Sequence, residues 1–430
     1  MISQEFDECQ KNLTDFQKTL YAPGDPKLGV NHQQNKIYTP FYKSHSKISW
    51  SHHFSEKLPC SNIEIKSEMI FSANMKYHGL LYTTFDQELP SIRLKDGYTG
   101  RWVKNVGSKI INLGELRFNS QPLQTIDEMY NDYYIQCMAD QSYDQDIGNI
   151  PSLQNWSQEL PPYTTSFNLP WFYAERCSSY FPLLFCGYQD QLTHHYNLKR
   201  KISEIFEVKR NDEIVPFDSE SIETVGSISG SSITSNLLLP IPEMWGEYML
   251  KADYECEHNR CEAISQIGNT MIINDMISMD YEYQREKNFD DIKKNVHTFF
   301  WSAKHVNSPD YSYRGDNPIR STSIHTGKLS IVDNIGSDKT SYKHPQKHFP
   351  RIPQDIGYNV WTCGMKAKDT YPIPGNTITS NGKVIINLKE NSHDFIIKMR
   401  LIYHKKLTFV SFPDSEEKRK SEHCVITISD

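Results

Sequence analysis

Residues Tyr77–Leu89 read Tyr-His-Gly-Leu-Leu-Tyr-Thr-Thr-Phe-Asp-Gln-Glu-Leu and are followed by Pro90. After the turn at Gly79, the residues fall into two alternating sets, of which the first is the more apolar. One set is Leu81, Thr83, Phe85, Gln87 and Leu89, and the other is Tyr82, Thr84, Asp86 and Glu88. Alternation of period two predicts a long β-strand with one buried face, because successive side chains of a strand point to opposite sides.

The composition extends this prediction to the whole chain. The 430 residues have a mass of 50.1 kDa, enough for two β-rich domains. Aromatic residues make up 12% of the chain, and aromatic side chains fit the pleated surface of a sheet. Many short runs of this kind, few helical patterns and long polar loops predict an all-β protein of the sandwich or jelly-roll type.

Charge and hydropathy exclude several classes of protein. The formal net charge of -7 disfavours direct, sequence-specific binding of nucleic acid, which usually requires a basic surface. Apolar runs of roughly 18 residues are missing, so we expect no transmembrane segment. Residues Met1–Gly24 are polar and do not resemble a signal peptide, and the nine cysteines follow no disulfide framework. Together these features predict a cytosolic protein with reduced thiols.

The polar and turn-rich stretches divide the chain into four parts. We predict an N-terminal arm over residues 1–34, a first β domain over 35–212, a linker over 213–240 and a second β domain over 241–430. One helix stands out near the middle of the first domain. Thr125 and Glu128 have the spacing of a capping box, which predicts that this helix begins at Thr125.

Several segments resemble the double jelly-roll major capsid proteins of nucleocytoplasmic large DNA viruses. They occur in the order found in that family and begin at Tyr38, Tyr77, Trp102, Leu169, Tyr248, Asn295 and Gly357. Two places depart from the family pattern. Asn119-Ser120-Gln121 replaces a Gly-Gly turn, and Tyr371-Pro-Ile-Pro-Gly375 alters a Gln-Pro-Ser-Gly loop. These departures fit a divergent member.

The resemblance implies two tandem eight-stranded antiparallel jelly rolls and a structural role in an icosahedral shell. It implies a homotrimeric, pseudo-hexameric capsomer that contacts neighbouring capsomers, minor capsid or penton proteins and inner membrane-associated proteins. It also places the protein in the virion capsid, after synthesis and assembly in the host cytoplasm. Three alternatives stay open: a minor capsid or assembly-scaffold paralogue, a monomeric carbohydrate-binding β-sandwich protein, and an enzyme on a β-sandwich scaffold.

The sequence predicts no catalytic, cofactor-binding or metal-binding residues. The strongest metal candidate combines Cys256, His258 and Cys261 with His344 and His348, but Cys256 ends a predicted strand and structural zinc needs two well-placed ligand pairs.

Adjacent histidines are poor joint ligands, because neighbours in a strand point apart. The pairs His52-His53 and His194-His195 are therefore interpreted as surface or loop residues. Nothing in the sequence marks Cys363 as a nucleophile. The aromatic clusters Trp171-Phe172-Tyr173 and Phe299-Phe300-Trp301 are predicted to lie in the core, with subunit contacts as the alternative.

Overall fold

The computed structural model describes residues 51–429 except 62–67, 140–142, 175–179, 184–185, 188, 219, 227–236, 252–268, 290–291, 293, 307, 309–316, 328, 365–375, 379–381, 391–393 and 414–420. The predicted arm over residues 1–34, the segment at Tyr38 and the Cys256–Cys261 cluster lie outside the described residues. Within the described part, no helix is both long and apolar enough to cross a membrane.

The described chain consists mainly of β-strands. The strands of its first half are β1 (Ser51–Lys57), β2 (Cys60–Ser61), β3 (Glu68–Ser72), β4 (Gly79–Leu89), β5 (Ser91–Leu94), β6 (Tyr98–Trp102), β7 (Ile111–Phe118), β8 (Gln121–Asp127), β9 (Glu159–Leu160), β10 (Tyr163–Asn168), β11 (Leu192–Leu198), β12 (Phe206–Arg210), β13 (Glu213–Val215), β14 (Ile222–Gly226) and β15 (Glu243–Lys251). Those of its second half are β16 (Asn269–Glu282), β17 (Glu286–Asn288), β18 (Asn295–His305), β19 (Ile319–His325), β20 (Ser330–Gly336), β21 (Asn359–Thr362), β22 (Asn376–Thr377), β23 (Lys383–Leu388), β24 (Phe395–Pro413) and β25 (Ser421–Ser429).

The helical segments are short. They are α-helices at Val106–Ile110, Glu128–Tyr133, Pro151–Gln154 and His344–His348, a 3₁₀ turn at Ile202–Glu204, and π-helical turns at Tyr134–Met138 and Lys339–Lys343. The helix Glu128–Tyr133 continues into the π-helical turn Tyr134–Met138, and the π-helical turn Lys339–Lys343 continues into the helix His344–His348. We call these composite segments the first-roll helix (residues 128–138) and the second-roll helix (residues 339–348).

The same strand order occurs twice. In the first half, the two large sheets have the orders β1-β15-β4-β10 and β2-β3-β11-β7-β8; we call them sheets 1A and 1B. Two small sheets, β13-β12-β6 and β14-β5-β9, accompany them. In the second half, sheet 2A has the order β16-β24-β18-β21 and sheet 2B the order β17-β23-β19-β20. If the eight principal strands of each half are numbered along the chain, both A sheets read 1-8-3-6, and the B sheets read 2-7-4-5. The fold is a double jelly roll, as predicted.

Each roll has a core between its two sheets. In the first roll, Phe85 of sheet 1A contacts Tyr196 of sheet 1B at a ring distance of 5.9 Å. In the second roll, the Trp301 indole N–H of sheet 2A donates to the Thr322 hydroxyl of sheet 2B over 3.1 Å. Rings and branched side chains fill the space between the sheets, so each roll is a sandwich with a continuous apolar interior.

The alternation predicted for β4 is confirmed except at one residue. Thr83, Phe85, Gln87 and Leu89 are buried, whereas Leu81 is only half-buried and Leu80 takes the core position. The register against β15 shifts between Glu247 and Tyr248, which leaves Leu81 as the extra residue of a bulge. A bulge inverts the alternation locally, and this explains the exchange of Leu81 for Leu80.

The structure corrects the interpretation of residues 213–251. Strands β13 and β14, inside the predicted linker, pair with β12 and β5 of the first half. Asn211 and Asp212 have positive φ values of 49° and 66°, as a tight hairpin turn requires. Strand β15, assigned to the opening of the second roll, is the eighth strand of the first. We therefore place the division between the rolls after Lys251 and before Asn269.

The predicted start of the first-roll helix is also wrong. Thr125 lies inside β8, and the N-cap is Asp127, whose side chain accepts the backbone N–H of Tyr130 over 2.8 Å. Asp127 takes the N-cap role that the capping-box pattern assigned to Thr125. A carboxylate is at least as good an acceptor as a hydroxyl at a helix N-terminus.

Candidate functional site: the junction between the two rolls

Strand β18 of sheet 2A is buried on both faces. Phe299 and Trp301 of β18 point into the second-roll core, while Phe300 between them belongs to the core of the first roll. Its ring lies 5.3 Å from that of Tyr133 on the first-roll helix. The three consecutive aromatic residues thus join two cores across one strand, which a strand buried on both faces permits.

A buried arginine holds the first-roll helix to this sheet. Arg400 of β24 is 2% exposed, and its Nε donates to Oδ2 of Asp127 over 2.5 Å. Its other nitrogens donate to the Asp280 carboxylate and to the Met399 carbonyl. Burial alone would lower the pKa of Arg400, but the two carboxylates outweigh burial and raise it above its usual value. Asp127 therefore caps the helix with one oxygen and binds the second roll with the other.

Glu128 connects the two rolls in the same way. One carboxylate oxygen accepts from Lys199, which follows β11 in the first roll, and the other accepts from Lys398 of β24 in the second. Burial lowers the pKa of both lysines, and for Lys199 the nearby Lys398 adds to this effect. A carboxylate shared by two cations is well compensated, and removing it would leave two charges desolvated.

Asp275 of β16 forms a third connection. Its Oδ1 accepts the backbone N–H of Thr125 in β8 over 3.0 Å. Its Oδ2 accepts from the Tyr403 hydroxyl and the Lys405 ammonium, each at 3.1 Å. Lys405 also donates to the Leu123 carbonyl over 2.9 Å. Edge strand β8 of the first roll is thus tied to sheet 2A by backbone and side-chain bonds together.

Two further contacts extend the junction. Tyr358 of the second roll donates to Asp132 of the first-roll helix over 3.1 Å and accepts from the Asn105 side chain over 3.1 Å. The C-terminal strand β25 returns to the first roll, where Asp190 accepts the backbone N–H of Cys424 over 2.8 Å. Together with the bonds of Asp275, these contacts join the first roll to the start, the middle and the end of the chain's second half.

Sequence reasoning missed this junction. The period-two pattern of β24 was visible, with Ile397, Met399 and Leu401 alternating with Lys398 and Arg400. The charged side of such a strand is ordinarily its solvent side, so the pattern gives no sign that the lysine and arginine are buried. The one signal in the sequence is the pair Asp127-Glu128 directly before an aromatic helix, because acidic residues at a helix start cap the helix and also attract cations.

His194 and His195 point to opposite faces of β11, as predicted for neighbours in a strand. His194 is fully buried and shares a 2.8 Å hydrogen bond with the Tyr173 hydroxyl, whereas His195 lies on the opposite, partly exposed face. Burial lowers the pKa of His194 to about 3. The interpretation of this pair as surface residues is therefore wrong for His194. His52 and His53 are both exposed.

His344 and His348, the part of the metal candidate that the structure describes, make other contacts. Nε2 of His344 accepts the backbone N–H of Thr362 over 3.0 Å, and the ring is stacked on Trp361 at 4.0 Å and on His348 at 4.3 Å. His344, His348 and Cys363 line one surface cavity with a volume of about 430 Å³. Among the residues that the structure describes, no three His, Cys, Asp or Glu side chains are grouped to hold a metal ion.

The two aromatic clusters are confirmed as core. Trp171, Phe172, Tyr173, Phe299, Phe300 and Trp301 are at most 4% exposed.

Sequence comparison finds relatives among viral shell proteins. No family model matches the chain. The major capsid protein of Simulium iridescent virus is 22% identical over 331 residues, which is 68% of either chain. That of Tipula iridescent virus is 22% identical over 331 residues, 68% of this chain and 69% of the relative.

Solved structures show the same fold. The capsid of the PBCV-1 virus superposes with a TM-score of 0.63 at 10% identity, covering 91% of this chain and all of the other. The chain has the double jelly-roll fold of viral major capsid proteins. The Faustovirus major capsid protein superposes with a TM-score of 0.61 at 9% identity, covering 95% of this chain and 98% of the other. Sequence and fold thus both resemble the major capsid proteins of large DNA viruses.

Proposed function

We infer that this chain is a structural capsid protein of a large DNA virus. The observation that carries this inference is the repeated strand order of two jelly rolls, which a buried ionic junction joins. The similarity to iridescent virus major capsid proteins supports it. A shell needs subunits that keep their shape under load, and two packed sandwiches with interlocked cores meet this need.

We further propose that the chain forms a homotrimer and that these trimers tile an icosahedral shell. Three copies would bring six rolls into one ring, which gives a nearly hexagonal block from a three-fold assembly. Such capsomers would contact one another, minor capsid or penton proteins and proteins of an inner membrane. The protein would be found in the virion capsid and would assemble in the host cytoplasm.

Electron microscopy of the purified chain tests the structural role. We expect particles with a three-fold outline and, at high protein concentration, flat or curved arrays of such particles. A minor capsid or scaffold paralogue would give the same trimers, with arrays of different curvature or with none unless a partner is present. Compact monomers at all concentrations would contradict the proposal and favour a monomeric carbohydrate-binding sandwich, which a glycan array would then test.

A further inference from the structure

The repeated topology makes the second-roll helix equivalent to the first-roll helix. Each follows the fifth principal strand of its roll, β8 or β20, and each contains a π-helical turn. Tyr133 and Tyr342 lie the same number of residues beyond the ends of these two strands. Tyr133 is 4% exposed and packs on sheet 2A, whereas Tyr342 is 52% exposed. The second-roll helix therefore presents to solvent the position that the first-roll helix buries.

The exposed side of the second-roll helix is basic. Lys339, Lys343 and Lys347 are all exposed and are four residues apart, so they follow one side of the helix. Lys343 also forms an exposed ion pair with Asp338 over 3.6 Å, which leaves the row with a net positive charge. Tyr342 stands beside this row. A large aromatic residue flanked by cations is a typical contact anchor, because the ring supplies buried area and the charges orient the partner.

Sheet 1A is the equivalent of sheet 2A, and its outer face is acidic. Its outward residues on β4 and β15 include the aromatic pair Tyr82 and Trp245 together with the acidic set Asp86, Glu88, Glu243 and Glu247. Tyr82 is 38% exposed. One lysine in this face, Lys57, binds Glu243 over 2.5 Å. Where the outer face of sheet 2A holds Lys398 and Arg400, that of sheet 1A holds carboxylates.

Like charges stand opposite each other in this face. Asp86 and Glu243 are direct cross-strand partners, an arrangement that destabilises an isolated sheet. Burial raises the pKa of Asp86, and the hydrogen bond that its Oδ1 accepts from the Ser166 hydroxyl over 2.6 Å partly offsets this. The nearby charge of Glu243 raises the pKa again. A basic surface laid over the sheet would relieve this repulsion, and the second-roll helix is such a surface.

We propose that the second-roll helix of one copy docks on the outer face of sheet 1A in a second copy. The contact rests on the proposed homotrimer and repeats the junction inside the chain with its charges exchanged. Inside the chain an acidic helix start meets a basic sheet, and between copies a basic helix meets an acidic sheet. Because the two surfaces differ, the contact is head-to-tail, and a contact of this kind closes into a ring of three when it rotates each copy by a third of a turn.

Charge reversal on each side tests the contact. One variant carries Lys343→Glu and Lys347→Glu, and another carries Glu243→Lys and Glu247→Lys. We expect each to raise the concentration at which trimers dissociate by at least about tenfold, measured by light scattering over a dilution series. The matched control Glu213→Lys with Glu220→Lys makes the same charge change at exposed sites of the first half and should leave dissociation unchanged.

Combining the two reversals in one chain gives the decisive result. If helix and sheet face each other, the fourfold variant restores opposite charges and should return the dissociation concentration to within about threefold of wild type. Additive weakening in the fourfold variant, or single variants that behave like the control while wild type is a trimer, would overturn this contact and leave the homotrimer standing. A monomeric wild type would overturn the homotrimer itself. Circular dichroism of each variant checks that the rolls remain folded.

Discussion

The outer faces of sheets 2A and 1A occupy equivalent places in the two rolls but have opposite chemistry. On sheet 2A, Lys398 and Arg400 are buried and bound by Glu128 and Asp127 of the first-roll helix. On sheet 1A, the corresponding surface is half-exposed and rich in carboxylates. The same fold thus provides one face for a permanent contact inside the chain and another for a reversible contact between copies.

This difference has a physical reason. A contact within one chain forms at high effective concentration, so it tolerates the desolvation of several charges. A contact between copies must pay for lost translational freedom and gains from long-range attraction between opposite charges. Exchanging the signs of the charges also prevents each helix from binding the wrong sheet, since the first-roll helix start and sheet 1A are both acidic.

Replacing Arg400 by alanine should give the largest effect at the junction. The substitution leaves the buried carboxylate of Asp127 without its cation, and we expect the free energy of unfolding to fall by about 3–5 kcal/mol. Urea unfolding at fixed protein concentration measures this change. Arg320→Ala, at an exposed position of sheet 2B, is the control and should change stability by under about 0.5 kcal/mol. An equal effect of both substitutions would contradict a junction held by Arg400.

The two equivalent tyrosines give the second test. Tyr133→Ala removes a ring buried against Phe300 and should lower the free energy of unfolding by about 3 kcal/mol. Tyr342→Ala removes an exposed ring, so we expect a change in monomer stability below about 0.5 kcal/mol but weaker association of copies. Urea unfolding and light scattering of the same two samples separate the effects. If Tyr342→Ala destabilised the monomer as strongly as Tyr133→Ala, the proposed difference between the helices would be wrong.

Asp275→Asn should have a smaller effect than loss of Arg400. The amide keeps one acceptor oxygen but loses the charge that binds Lys405 and Tyr403, and we expect a loss of about 2 kcal/mol. Thermal unfolding measures it, with the exposed Asp333→Asn on β20 as control. Stability within error of wild type would show that the charge of Asp275 does not help to hold β8 to sheet 2A.

Acid should loosen the second-roll helix before the first. Burial lowers the folded-state pKa of His344 to about 3, with help from His348 and Lys347. Since the unfolded pKa is near 6.5, the stability from neutral His344 is complete above that pH and is lost as pH falls towards 3. We expect a local loss on the order of 1 kcal/mol by pH 5, allowing for partial solvent screening.

Hydrogen exchange at pH 7 and pH 5 measures the acid effect in both helices. The first-roll helix has no histidine and should keep its protection in this range. His344→Gln should make the second-roll helix equally insensitive, and His52→Gln, at an exposed site, should change nothing. Equal loss of protection in the two helices would refute the role of His344.

The features that could be predicted from the sequence are those that depend on residues close together in the chain. The alternation of β4, the all-β class and the buried aromatic clusters follow from residue patterns over a few positions. The assignment of β15 to the first roll did not, because strand pairing across the chain leaves no local mark in either partner. The Asn211-Asp212 turn was a readable hairpin signal inside the predicted linker. The junction was hidden, since buried Lys398 and Arg400 look like any solvent-facing side of a strand.

The solution mass of the wild-type chain tests the account most directly. Light scattering at micromolar concentration should give about three times 50.1 kDa, roughly 150 kDa, if the head-to-tail contact closes a ring of three copies. High salt should shift this mass towards the monomer, because the proposed contact pairs exposed charges. A stable mass near that of one chain at low and high salt would contradict both the homotrimer and the contact between the second-roll helix and sheet 1A.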